Sequence, residues 1–155
     1  LSSVIIGTNN EIINPLYHGE ISAINQYFNL NFNKKIKPTE CIFLSTHEPC
    51  SLCLSAITWS GFDNFYYFFP YSDTKIKFNI PHDLKILKEV FGITEGHYNK
   101  NNTYWKSFSI VKNVNLLANL EKSNLLKKIK KISEIYDDFS NLYQKYKSKN
   151  DIPLN

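Results

Sequence analysis

The sequence contains no arginine and no methionine, and only 3 cysteines and 5 glycines among its 155 residues. Every basic residue is therefore lysine, so the bidentate guanidinium clamp used on guanine edges and phosphates is missing. A net charge of +4 built from lysine alone makes a weak case for a nucleic-acid surface. Three cysteines are too few, and odd in number, for a disulfide framework, which points to a reducing compartment, the cytoplasm. No apolar run reaches the length of a membrane span, since the longest, Phe65 to Phe69, is a strand's length. No basic opening followed by an apolar block marks a secretory signal. With methionine absent, Leu1 is not expected to be where translation starts, and an N-terminal segment is expected before it. What is present is 43% hydrophobic and 15% aromatic residues with 21% charged, at a mean hydropathy of −0.32. That composition excludes a disordered polyelectrolyte, and the length is that of one domain with a real core.

The hydrophobic pattern alternates between strand and helix. Leu1 to Ile6 is a β-branched run ending in turn residues Gly7, Asn9 and Asn10, which predicts a strand and a turn. Ile21, Ile24, Tyr27 and Phe28 recur at helical spacing, so a helix is expected from about His18 into the stretch Asn29 to Lys37. Cys41 to Thr46 reads as a buried strand, with Cys41 in the core. Pro49 opens a second helix that Gly61 stops. Asn64 to Tyr71 is an aromatic strand, Pro81 to Phe91 a helix closed by Gly92, and Trp105 to Val111 a further strand. From Leu125 a seam of Ile129, Ile132, Tyr136, Phe139, Tyr143 and Tyr146 predicts one amphipathic helix of about six turns. The lysines beside that seam, Lys127, Lys128, Lys130 and Lys131, read as a solvated face. The order predicts a single three-layer α/β/α domain, with a core at residues 1–112 and a helical tail at residues 116–149.

Two segments carry chemistry: His18-Gly19-Glu20 at the start of one helix and Pro49-Cys50-Ser51-Leu52-Cys53 at the start of the next. A histidine with a Cys-x-x-Cys pair supplies three borderline-to-soft ligands, which suits tetrahedral zinc with one position open. The spacing sets both sulfurs on one side of a helix's first turn, where free N–H groups favour thiolate. Two thiolates and a neutral imidazole balance the charge of Zn²⁺, and a water in the open position ionises near neutral pH. Glu20, two residues past His18, is placed to move that water's proton rather than to ligate. The pattern is that of zinc-dependent hydrolytic deaminases. Two plainer readings stand beside it. A thioredoxin-like redox pair leaves His18 unexplained, and a closed structural zinc site would need His47 as a fourth ligand.

Asn14-Pro15-Leu16-Tyr17-His18-Gly19-Glu20-Ile21 and the run His47 to Trp59 resemble the two metal segments of the cytidine and deoxycytidylate deaminase superfamily. The resemblance extends from Val4 to about Tyr71. It implies a central mixed sheet flanked by helices, with zinc held by His18, Cys50 and Cys53 where two helix N-termini meet. It also implies Glu20 as proton shuttle. Glu48-Pro49-Cys50 with Ala56-Ile57-Thr58-Trp59 is most like guanine and tRNA-adenosine deaminases, while Gly19 is shared with cytosine deaminases. Relatives hold the ring with an asparagine ahead of the histidine, a part that Asn9 or Asn10 fits. Trp59 is a candidate pocket wall, with core packing the plainer reading. Asp73 is a candidate reader of an exocyclic amine, or a plain loop aspartate. The superfamily also has a helix and a strand before the segment matching Leu1 to Ile6. The implied protein is a zinc enzyme acting on a free nucleobase or nucleoside, guanine or cytosine first, and assembled as a homodimer. The rivals are a tRNA-adenosine or nucleotide deaminase and a catalytically inactive zinc-stabilised interaction module.

Overall fold

The computed structural model describes residues 2–30, 36–118, 120–147, 149 and 152–154. Three strands form its sheet: β1 (Leu44–His47), β2 (Asn64–Phe69) and β3 (Lys106–Ser109), in the order β1-β2-β3. Among the described residues six α-helices accompany it: α1 (Gly19–Phe28), α2 (Ser51–Trp59), α3 (Tyr71–Ile76), α4 (His82–Phe91), α5 (Ile110–Leu116) and α6 (Leu120–Lys147). Both strand pairs are parallel, with Leu44 opposite Tyr66 and Tyr66 opposite Phe108. Among the described residues the sheet is thus parallel throughout, not mixed. Helices α2, then α3 and α4, carry the chain between strands, and a helical crossover returns each strand in the same direction.

The core begins with β2, whose inward residues Phe65 and Tyr67 are 0% and 2% exposed. They pack with Ile24 and Tyr27 of α1, Leu54 and Ile57 of α2, and Trp105. Alternation along the strand turns Phe68 to the opposite face. There a second cluster joins Phe68, Phe69 and Phe78 to Ile110 and Val111 of α5 and to Ile129 and Tyr136 of α6. Helices therefore flank both faces, and the expected α/β architecture with its long C-terminal helix is present. The second layer is incomplete, since Leu44 on that face is 66% exposed.

Several boundaries differ from expectation for physical reasons. Residues 2–6 form no strand, and Leu1 lies outside the described residues. Among those residues no strand lies beside them to complete a ladder, and a β-branched run without a partner has no reason to become one. They carry no regular secondary structure, and Ile5 packs on the first core cluster. Cys41 lies before β1 rather than in it and is only partly buried, although it does pack against that core. Pro70 ends β2 early, and Tyr71 begins the short helix α3. Ser109 ends β3 early because its hydroxyl accepts from the Lys112 backbone N–H and caps α5. Helix α6 is 28 residues long, about eight turns, because it extends back through the polar turn at residues 120–124. Leu116 ends α5, so α6 is the helix of the stretch read as the tail, while the stretch after α1 at residues 31–35 lies outside the described residues.

Gly7 shows how the N-terminal segment is held. A Cβ there would lie 2.5 Å from the Ala23 backbone nitrogen and 2.6 Å from its Cα, so the segment touches α1 backbone to backbone. Gly7→Ala is expected to push the segment off α1 and to lower stability by about 1–3 kcal/mol in urea denaturation.

Candidate metal centre

The site is built on two helix starts. His18 and Cys50 are the N-caps of α1 and α2, each with extended backbone and with no capping bond from its side chain. Both side chains are left for other work, beside the unpaired N–H groups of a first helical turn. Helices α1 and α2 pack against each other, which brings the two starts together. Cys50 Sγ lies 3.4 Å from His18 Nδ1, and Cys53 Sγ lies 3.6 Å from the same nitrogen. All three ligand atoms fall within 4.8 Å of one another. Tetrahedral zinc, with sulfur at about 2.3 Å and nitrogen at about 2.05 Å, would set a sulfur and a nitrogen about 3.6 Å apart. The donor set and its spacing therefore fit zinc with one position open.

Charge is already arranged for a cation. The Cys50 thiol is brought down to about 5, chiefly by the hydrogen bond from Cys53 and then, against burial, by His18. The Cys53 thiol is pushed up, first by its bond to Cys50 and then by burial. His18 is raised to about 10 by its contacts with Cys50 and then Glu11. Zinc must therefore displace protons from His18 and Cys53, and binding that releases protons strengthens as pH rises. Chelator competition at about pH 6 and about pH 8 is expected to show tighter zinc at the higher value, by up to about a hundredfold per pH unit for two protons released.

Glu20, one turn-start beyond His18, turns its carboxylate into the cluster. Its Oε1 accepts from the Ser45 hydroxyl at 2.6 Å, and Cys53 Sγ lies 3.4 Å from Oε2. Ser45, on β1 and 6% exposed, gave no signal in the sequence because its partner is 25 residues away. Below α2, Glu48 is an almost wholly buried carboxylate paired with Lys100. It also accepts from the Tyr98 hydroxyl at 2.8 Å and the Tyr71 N–H at 3.1 Å. The Tyr71 hydroxyl donates to the Pro49 carbonyl, so this network pins the loop that presents Cys50. Asp83, in the first turn of α4, is raised to about 7 by burial and then by the nearby Cys50.

The remaining sequence candidates are placed otherwise. Asn9 binds Glu11, giving 2.8 Å from its Nδ2 to Oε2 and accepting the Glu11 N–H at 2.9 Å. Asn9 and Asn10 line a cavity of about 300 Å³ with Glu11, Ile12, Tyr143 and Ile152. The far end of α6 thus reaches the loop ahead of His18. Trp59 is not in the core and does not line the cavity beside Asn9 and Asn10. It is 91% exposed in the last turn of α2, and a helix of 9 residues puts it at the end opposite Cys50. Asp73 lies on α3 rather than in a loop and pairs with Lys77 at 3.2 Å. His47 does not close the site. Its ring packs on Phe69, Phe78 and Tyr136, and burial lowers its pKa.

Half of the α6 seam is intramolecular. Ile129 and Tyr136 pack on the domain, while Ile132, Phe139 and Tyr146 are 38%, 59% and 44% exposed. No helix among the described residues is long and apolar enough to cross a membrane. Residues 2–69 match the family model for the cytidine and deoxycytidylate deaminase zinc-binding region. Comparison with curated proteins and with solved structures gives no match.

Proposed function

Because residues 2–69 match the family model for the cytidine and deoxycytidylate deaminase zinc-binding region, we propose that the chain is a zinc-dependent aminohydrolase of a free nucleobase or nucleoside, guanine or cytosine in type. The observation that carries this reading is the Glu20 carboxylate, held by Ser45 beside a three-donor cluster with an open fourth position. A closed structural site has no use for a carboxylate there.

His18, Cys50 and Cys53 hold the zinc, which when bound supplies an acidified water for attack on the ring carbon that bears the amine. Glu20 accepts one proton of the attacking water and passes it to the ring nitrogen, then takes the second from the added oxygen and passes it to the leaving amine, which departs as ammonia. Ser45 holds Oε1, so the rest of the carboxylate stays aimed at the cluster. The carbon gains one oxygen from water and loses one nitrogen, and no redox partner is needed.

A small substrate is supported by the neighbourhood. Among the described residues the cavity beside the site is lined by amides, a carboxylate, a tyrosine and isoleucines, and its size is at the small-ligand end of binding cavities. The lysines Lys127, Lys128, Lys130 and Lys131 are exposed on α6, as a solvated face would be. A reducing compartment, the cytoplasm, is the location this reading adopts, since three cysteines are too few and odd in number for a disulfide framework. It is read as a homodimer whose second copy covers the exposed apolar residues of α6, and light scattering that gives a monomer removes that part. Ammonia release against a panel of bases, nucleosides, nucleotides and a tRNA anticodon stem-loop tests the substrate class. Guanine or cytosine should react at a rate nearly independent of salt. Reaction of the stem-loop alone, falling steeply with salt, would replace this reading with RNA editing.

A further inference from the structure

The two ring nitrogens of His18 have separate partners. Nδ1 faces the sulfurs of Cys50 and Cys53, at 3.4 Å and 3.6 Å. Nε2 lies 3.2 Å from Oε1 of Glu11. Glu11 itself is fixed by Asn9, which grips its other carboxylate oxygen at 2.8 Å and its backbone N–H at 2.9 Å. The loop holding both is closed by the Asn10 N–H to the Tyr17 carbonyl at 2.8 Å and the His18 N–H to the Leu16 carbonyl at 2.9 Å. Glu11 therefore reaches His18 from a braced loop.

We infer that Glu11 is a positioning residue of the metal centre, oriented by Asn9 and acting through His18. An imidazole that offers Nδ1 to a metal carries its proton on Nε2, and an acceptor there fixes both the tautomer and the plane of the ring. A carboxylate also makes the ring a stronger donor. Asn9 belongs on this account to the scaffold of the site rather than to the substrate's partners. The inference rests on the reading of His18 as a ligand.

Zinc affinity by competition with a chromophoric chelator tests it, with cobalt spectra of the same proteins as a second readout. Glu11→Ala is expected to weaken zinc binding roughly 10–100-fold and to shift the cobalt bands. Glu11→Gln, whose side-chain carbonyl can still accept from Nε2–H, should recover most of the loss. Adding Glu11→Ala to His18→Ala should cost nothing further, because the effect passes through the ring. Wild-type zinc affinity in Glu11→Ala, with His18→Ala impaired, overturns the positioning part alone. Wild-type affinity in His18→Ala overturns the ligand reading beneath it. Additive losses in the double variant would make Glu11 a general support of the fold and would also overturn the inference.

Discussion

Cys50→Ala and Cys53→Ala should each purify with far less than the one zinc per chain expected of the wild type, as read by elemental analysis of protein prepared without chelator. Losing a thiolate removes one of three protein ligands and half of the negative charge that neutralises the ion. The effect extends to folding. Cys53 is 0% exposed and Cys50 caps α2, so the metal ties the start of α2 to the start of α1. Binding energy at such a site is folding energy, and both variants should melt well below the zinc-loaded wild type. Cys41→Ala is the control. Its thiol lies outside the cluster, and zinc content should not change.

Glu20→Gln should keep its zinc and its melting behaviour while turnover falls by at least about a hundredfold. Glutamine can still meet the Ser45 hydroxyl, so the packing around position 20 is kept. It has no basic oxygen for the water's proton, and it cannot deliver a proton to the departing amine. The drop should appear in kcat more than in KM, because the lost interaction is made in the transition state. Zinc leaving together with Glu20 would mean that the carboxylate is a ligand.

The metal donors were legible in the sequence because the information is local. Cys50 and Cys53 lie within one helical turn, His18 and Glu20 within another, and each pair begins a helix that proline, glycine and apolar spacing announce. The closing of α4 by Gly92 in a left-handed conformation was legible for the same reason. What failed depended on distant partners. A strand at residues 2–6 needs a neighbouring strand, and the β-branched composition of the run says nothing about whether one is present. The motif puts Trp59 in the last turn of α2, yet its direction depends on what covers that turn. Ser45, Glu48, Lys100 and Asp83 could not be tied to the site from spacing. Their links to it span 25 residues for Ser45–Glu20 and 52 for Lys100–Glu48. Glu11 is only seven residues from His18 and still carries no sequence signal, since a loop carboxylate gains meaning only when the loop folds back on the ring.

The most direct test follows the oxygen. Zinc-loaded protein should be incubated with guanine and with cytosine in water enriched in oxygen-18, and the product weighed by mass spectrometry beside an ammonia assay. Hydrolytic deamination predicts a product that carries one heavy oxygen on the carbon that lost its amine, with one ammonia released per product. It also predicts that the zinc-loaded Glu20→Gln chain gives almost none of either. A product without the heavy oxygen, or equal yields from Glu20→Gln and wild type, would contradict the account.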